Sequence, residues 1–203
     1  MFDRRNLLAL VAGLAAWPAF LTSGWGQTQM SRPTAYGFSF KGLDGRDIRL
    51  AEHAGNPILI VNTASLCGYT PQYAGLQQLW TRLRERGLLI VGVPSNDFGG
   101  QEPGGSTEIM KTAHHEYGVS FPLAEKVAIK GAGAHPFYRW AALERPGESP
   151  RWNFHKYLIG RDGRIAASFP QTVEPMDARL VAAIERELRP RASDAASQRH
   201  SAR

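Results

Sequence analysis

Apolar and polar residues alternate across residues 36–50. The apolar positions are Phe38, Phe40, Ile48 and Leu50. The dipeptide Asp44-Gly45 separates the two halves of this pattern. Alternation with a period of two around Asp-Gly is typical of two antiparallel strands joined by a tight turn. The pattern therefore predicts a β-hairpin at the start of the folded region.

A strand–helix–strand unit is predicted over residues 58–93. Residues 58–61 form a continuous apolar run, as expected for a strand that is buried on both faces. Thr70 and Pro71 supply an N-cap and a first-turn proline for a helix that should end at Gly87. One stripe of this helix carries Leu76, Leu79, Trp80 and Leu83. Residues 88–93 form a second apolar run, so the two strands should pair in parallel through a right-handed crossover.

Three more elements complete the pattern. We expect Ser106 to cap a helix, residues 157–159 and 165–169 to form a second hairpin, and Pro175 to open a last amphipathic helix. The apolar residues in register are Ile109, Ala113 and Tyr117 in the first helix, and Met176, Leu180, Ile184 and Leu188 in the last. The sum is an α/β fold with a central mixed β-sheet flanked by helices and an N-terminal β-hairpin.

The two ends of the chain differ from its middle. Arg4-Arg5 precedes an apolar run over residues 7–21, which is too short for a comfortable transmembrane helix but suits a signal-peptide core. Residues 1–30 resemble a twin-arginine export signal, with an uncleaved N-terminal anchor as the alternative. Either interpretation places the protein in the periplasm or otherwise outside the cytoplasm, without stable membrane insertion once a signal is removed. Residues 31–189 read as one domain, and residues 190–203 as a disordered tail.

Composition and charge narrow the possible functions. The 203 residues are 43% hydrophobic and 21% charged, which is typical of a globular protein. The formal charge of +6 comes from 24 basic against 18 acidic residues. These basic residues are spread along the chain without a stripe or interleaved aromatics, so we expect no nucleic-acid partner. The histidines lack metal-ligand spacing, and we expect no metal.

The single cysteine, Cys67, is the candidate for chemistry. It lies in a polar loop between the first buried strand and the helix that starts at Thr70 and Pro71. A helix N-terminus favours negative charge and hence a thiolate. The alternative is a buried cysteine that acts as a small apolar residue, as most lone cysteines do. Thr70 stands where the second cysteine of a Cys-x-x-Cys redox motif would be. This residue and the loop position of Cys67 favour redox chemistry by a single cysteine.

Three segments carry a family resemblance. They are residues 62–73 (NTASLCGYTPQY), 94–104 (PSNDFGGQEPG) and 152–159 (WNFHKYLI). Together they resemble, in order and spacing, the motifs of glutathione peroxidases that use cysteine in place of selenocysteine. The resemblance covers roughly residues 35 to 188. It implies a thioredoxin-like fold and a thiol-dependent peroxidase that reduces hydrogen peroxide and organic hydroperoxides.

The resemblance also implies the site. Cys67 would be the peroxidatic nucleophile that becomes a sulfenic acid, with Gln101, Trp152 and Asn153 gathered around it. Amide and indole N–H groups can donate hydrogen bonds to a thiolate without adding a charge. The resemblance implies no bound cofactor. The reducing co-substrate would be an external thiol, with glutathione as the first candidate and thioredoxin as the second.

The departures from the family pattern are informative. Thioredoxin-dependent members carry a resolving cysteine where this chain has Ala113 and His114, so no internal disulfide can form. Family tetramers carry an inserted loop for which residues 143–151 are too short, and we expect a monomer. The alternative function is a thioredoxin-like redox sensor or binding module that docks partners through a mixed disulfide at Cys67.

Overall fold

The computed structural model describes residues 32–189. The strands are β1 (Ser39–Lys41), β2 (Asp47–Arg49), β3 (Ile58–Thr63), β4 (Leu89–Pro94), β5 (Lys156–Ile159) and β6 (Ile165–Phe169). The helices are α1 (Gln72–Leu83), α2 (Ser106–Met110), α3 (Pro136–Glu144) and α4 (Ala178–Leu188), and a π-helical segment, Lys111–Glu116, continues α2. The predicted export segment and the predicted tail lie outside the described residues.

Four strands form the central sheet in the order β4-β3-β5-β6. Strands β3 and β4 are parallel, as the strand–helix–strand pattern predicts, whereas β5 pairs antiparallel with both β3 and β6. Strands β1 and β2 form a separate two-stranded sheet, which confirms the N-terminal hairpin. The sheet is mixed, as predicted.

Two apolar clusters cover the two faces of the sheet. Every residue of β3 and β4 is buried, because successive side chains enter opposite clusters. Leu59 and Val61 pack with α1 and α4 on one face. Ile58 and Ile60 pack with α3 and the hairpin on the other. Helices therefore flank the sheet on both faces, as expected for this α/β class.

Helices α2 and α4 begin at other residues than predicted. Ser106 is the first helical residue of α2 and not its cap; the Glu108 carboxylate instead accepts a hydrogen bond from the Gly105 N–H at 2.9 Å. The last helix begins at Ala178 and not at Pro175, because the Asp177 carboxylate accepts from the Arg179 N–H and caps it there.

The hydrophobic pattern does not predict helix α3. It starts with Pro136 at its first position, and the His135 ring nitrogen accepts a hydrogen bond from the Phe137 N–H. Its buried residues are Phe137, Tyr138, Trp140 and Ala141. No helix among residues 32–189 is both long enough and apolar enough to cross a membrane.

Candidate active site

Cys67 lies in the loop that joins β3 to α1. Its side chain is 7% exposed, and its Sγ atom accepts a hydrogen bond from the Tyr69 N–H at 3.4 Å. The Thr70 hydroxyl accepts from the Cys67 N–H at 3.1 Å and donates to the Ala64 carbonyl at 2.8 Å. Thr70 thus closes the cysteine loop on itself and does not cap α1 through its side chain, contrary to the prediction. The cysteine is held just before the first turn of α1.

Gln101 lies in the loop that follows β4. Gly99 and Gly100 turn this loop with φ values of 69° and 64°, a left-handed region that glycine enters at little cost. The Gln101 carbonyl then accepts a hydrogen bond from the N–H of Leu66, the residue before Cys67, at 3.0 Å. Because β3 and β4 are parallel neighbours, the loops after them emerge at the same edge of the sheet. This topology brings Gln101 to the cysteine loop.

Asn153 reaches the same edge from the opposite chain direction. Strand β5 runs antiparallel to β3, with Lys156 opposite Val61, so the residues that precede β5 lie near the end of β3. Asn153 is fully buried, and its Nδ2 donates to the Gln101 Oε1 at 2.9 Å. The next residue, Phe154, has a φ of 65° and is the one non-glycine residue with positive φ in the described chain. This strained turn orients Asn153 toward Gln101.

Trp152 is half-buried beside the turn of the Gln101 loop. Its carbonyl accepts a hydrogen bond from the Asn62 Nδ2 at 3.0 Å. Its ring lies 6.2 Å from that of Phe98, centroid to centroid, and a Cβ added at Gly99 would meet its Cη2 atom at 3.3 Å. Trp152 also packs against the apolar cluster that contains Cys67. The indole therefore lies against the loop that follows β4, at one side of the site.

The structure brings the four predicted residues to one edge of the sheet. Gln101 and Asn153 are directly hydrogen-bonded, and Gln101 is joined to the cysteine loop through its backbone. Within the described chain, however, the hydrogen bond to Sγ comes from the Tyr69 backbone, and none comes from the side chains of Gln101, Trp152 or Asn153. The arrangement places one backbone donor on the thiol and the hydrogen-bonded Gln101–Asn153 pair beside the loop that carries it.

A buried polar residue that the sequence pattern does not indicate, Glu102, lies beside this site. Glu102 is 1% exposed, and burial raises the pKa of its carboxyl group. The Ser65 hydroxyl and backbone N–H, and then the Lys126 charge, act in the opposite direction on that pKa. A single glutamate in a Gly- and Pro-rich loop gives no periodic signal of burial. The available indication was its place in the segment 94–104, next to Gln101.

The electrostatic environment of β5 is also unusual. Lys156 is fully buried, and its Nζ donates to the Gln72 Oε1 and the Val173 carbonyl, each at 2.6 Å. Burial lowers the pKa of Lys156 to about 8. Burial and the neighbouring Lys156 charge lower the pKa of His155 to about 4.

Among residues 32–189, no group of three His, Cys, Asp or Glu side chains could hold a metal ion.

The fold and the site together define a thioredoxin-like protein whose single cysteine lies in the loop between β3 and α1. The sequence profile of the family described as "Glutathione peroxidase" matches residues 35–142. Hydroperoxy fatty acid reductase gpx1 of Synechocystis is 43% identical over 157 residues, covering 73% of this chain and 93% of the relative. Glutathione peroxidase homolog BsaA of Staphylococcus epidermidis is 41% identical over 143 residues, covering 69% and 90%.

A solved structure agrees with these relatives. The crystal structure of Trgpx in its apo form superposes with a TM-score of 0.61 and 31% identity, covering 76% of this chain and 97% of that one. The chain belongs to the glutathione peroxidase family. It is a peroxidase, an oxidoreductase that reduces peroxides at the expense of thiols. The predicted family and thioredoxin-like fold are confirmed.

Proposed function

We propose that the protein reduces peroxides through a one-cysteine cycle in which Cys67 is the peroxidatic nucleophile. The observation that carries this proposal is the convergence of three loops on the single thiol of the chain. The Asn153–Gln101 pair supplies amide groups, and Trp152 supplies an indole N–H. A docking thiol would not require such a set of fixed polar groups around it.

The proposed chemistry has three steps. The Cys67 thiolate attacks one peroxide oxygen, the O–O bond breaks, and the other oxygen leaves with a proton as water or an alcohol. This step leaves a sulfenic acid on Cys67. A first external thiol displaces the sulfenic oxygen as water and forms a mixed disulfide. A second thiol attacks this mixed disulfide, which releases an oxidised thiol pair and restores Cys67.

We propose hydrogen peroxide and organic hydroperoxides as the oxidising substrates. Leu66, which precedes Cys67, is 67% exposed and offers an apolar contact beside the thiol for an organic chain. The name of the Synechocystis relative, hydroperoxy fatty acid reductase, supports an organic substrate for this chain. The thiol donor in this proposal is glutathione, with a thioredoxin as the alternative. No bound cofactor takes part.

The setting of the reaction is part of the proposal. The twin-arginine-like residues 1–30 support export, so the enzyme would work in the periplasm as a monomer on small-molecule substrates. Fusion of residues 1–30 to a reporter that is active only outside the cytoplasm tests the localisation. Substitution of both Arg4 and Arg5 by Lys is the matched control and should abolish export.

Single-turnover peroxide reduction tests the central assignment. Pre-reduced protein mixed with excess hydrogen peroxide should first consume one equivalent rapidly, before any thiol is added. Cys67→Ser should consume no peroxide, because a serine hydroxyl is not ionised near neutral pH. It should retain the wild-type circular dichroism spectrum, because serine is nearly isosteric with cysteine. A wild-type protein that leaves the peroxide untouched, yet forms mixed disulfides with protein partners, would point to the docking function instead.

A further inference from the structure

Glu102 is a buried acidic residue where the Gln101 loop meets the Cys67 loop. Its carboxylate is 1% exposed, and within residues 32–189 neither oxygen meets the geometry of a hydrogen bond. The Ser65 hydroxyl is buried and equally without a partner in that part of the chain. The Ser65 hydroxyl and N–H nevertheless lie close enough to lower the pKa of Glu102. Two buried polar groups without hydrogen-bond partners in the described chain therefore lie on the two loops of the site.

The backbone around Glu102 is fixed on both sides. Its N–H donates to the Asn96 Oδ1 at 2.8 Å, and its carbonyl accepts from the Lys126 Nζ at 3.0 Å. Lys126 also donates to the Gly104 carbonyl at 2.7 Å. The backbone that carries the carboxylate is therefore fixed, and its side chain is buried within the site.

The two loops consequently meet at consecutive residues. The Gln101 carbonyl binds the Leu66 N–H, and the next residue, Glu102, faces Ser65, the residue before Leu66. Cys67 follows directly. Burial, and to a smaller extent the Glu102 charge, raise the pKa of the Tyr73 hydroxyl in α1. Glu102 thus lies beside the loop that carries Cys67.

This placement is costly for stability. A buried carboxylate without full hydrogen bonding is unfavourable. Because burial raises its pKa, the folded chain binds this proton more tightly than the unfolded chain. Stability is then lost as the pH rises through the raised pKa. A neutral, apolar residue would relieve this cost, so a purely structural role does not explain a glutamate at this position.

We infer that Glu102 is a positioning residue that holds the Cys67 loop against Gln101 through Ser65. The inference rests on the proposed peroxidase reaction at Cys67. In the reacting complex we expect the Ser65–Glu102 contact to tighten to a hydrogen bond, as contacts in active sites often do. Loss of the carboxylate would let the cysteine loop move relative to the Gln101–Asn153 pair, without removing any group that touches the peroxide.

Kinetics of Cys67 oxidation provide the first test. We expect Glu102→Leu to slow oxidation by hydrogen peroxide on the order of 10²-fold, the effect of a small misplacement of reacting groups. Glu102→Gln keeps an oxygen that can accept from Ser65 and should recover part of the loss. Tyr138→Phe, which removes a buried unpartnered hydroxyl in the other apolar cluster, is the matched control and should react at the wild-type rate.

A double-mutant cycle then identifies the partner. Ser65→Ala should slow oxidation, and the combination Ser65→Ala with Glu102→Leu should be no slower than Glu102→Leu alone, because one contact is lost only once. Independent, multiplying effects would overturn the inference. So would a Glu102→Leu variant that oxidises at the wild-type rate.

Stability and amide exchange separate positioning from structural damage. We expect the midpoint of thermal unfolding of Glu102→Leu to equal or exceed that of the wild type at pH 7. Amide hydrogen exchange should accelerate in residues 64–71 while β3 and β4 keep their protection. A lowered midpoint with faster exchange throughout the sheet would overturn the inference. Amide exchange tests the positioning role of Glu102 independently of the peroxide reaction. If the wild type proves inert toward peroxide, only the proposed function fails.

Discussion

At the scale of single residues, two adjacent glycines in the Gln101 loop differ in one informative respect. Gly99 and Gly100 both have left-handed backbone angles, with φ values of 69° and 64°. A Cβ at Gly99 would meet the Trp152 ring at 3.3 Å, whereas nothing lies within 4 Å of a Cβ at Gly100. The Cβ at Gly99 would also meet the Gln101 side chain at 3.5 Å, so the pair separates backbone strain from contact with these two residues of the site.

We predict that Gly99→Ala slows Cys67 oxidation more than Gly100→Ala does. Both variants should lose about 1–2 kcal/mol of stability, because an alanine in the left-handed region is strained. Only Gly99→Ala should also shift the fluorescence of Trp152, since its methyl group presses on that ring. Urea unfolding and stopped-flow fluorescence provide the measurements. Equal oxidation rates in the two variants would show that the Trp152 position is unimportant for the reaction.

A second prediction at the residue scale concerns the hydrogen bond between Gln101 and Asn153. Removal of one preorganised donor near a developing charge typically lowers a rate by about 10²–10³. We predict losses of this size for Gln101→Ala and Asn153→Ala, measured as the rate of sulfenic acid formation in a single turnover.

Because the two side chains are bonded at 2.9 Å, their effects should not multiply. The double variant should be little slower than the slower single variant. Cys67 should remain reactive toward an alkylating reagent in all three proteins, which serves as the control for folding. Wild-type oxidation rates in both single variants would contradict the assignment of these residues to the site.

At the scale of elements, Lys156 of β5 joins α1 to the segment that precedes α4. Its ammonium group binds Gln72, the first residue of α1, and the carbonyl of Val173. Its pKa of about 8 lies below its ordinary value of 10.5 because of burial. The unfolded chain therefore binds this proton more tightly, and stability rises as the pH increases between these two values.

We predict that the stability difference between wild type and Lys156→Met changes with pH. From pH 7.5 to pH 10.5 the wild type should gain up to about 3 kcal/mol relative to the variant, from a pKa displacement of roughly two and a half units. Urea unfolding of both proteins across this range measures the difference, and tyrosine ionisation cancels because both proteins carry the same tyrosines. Parallel stability curves would show that Lys156 is not buried as a cation.

Elements with a clear period are predictable from the sequence, and those set by packing are not. The apolar run at residues 58–61 and the turn at Asp44-Gly45 suffice for β3 and the hairpin. Helix α3 escapes prediction because its nine residues are crowded with aromatics that pack against β1 and the sheet. The π-helical segment after α2 is equally hidden, since its extra residue per turn leaves no distinct apolar spacing.

The site follows the same division. The parallel pairing of β3 and β4 is predictable, and it places Cys67 and Gln101 at one edge of the sheet. The position of Asn153 depends on β5 lying antiparallel beside β3, and the chain pattern does not specify this strand order. Only the family resemblance could place Asn153 and Trp152 there. Glu102 was missed because neither periodicity nor the motif assigned it a role.

At the scale of the whole molecule, the proposed redox cycle has one thiol available for every step. The 203-residue chain contains a single cysteine, which excludes an internal disulfide as a protected intermediate. A sulfenic acid that finds no partner thiol is open to a second peroxide and oxidises further to the sulfinic acid. The fate of the enzyme then depends on whether an external thiol or a second peroxide arrives first.

We predict that mass spectrometry distinguishes these two fates. Limiting peroxide followed by glutathione should give one glutathione adduct, located on Cys67, because the sulfenic acid condenses with a small thiol. Excess peroxide without thiol should instead give a two-oxygen adduct on the same residue, with activity lost in proportion to the adduct. Cys67→Ser should show neither product. A protein that resists excess peroxide would contradict the small-thiol cycle, because the chain has no second cysteine to trap the sulfenic acid as a disulfide. Restoration only by a dithiol protein such as thioredoxin would contradict it as well, because the cycle requires a small thiol to form and then resolve the mixed disulfide.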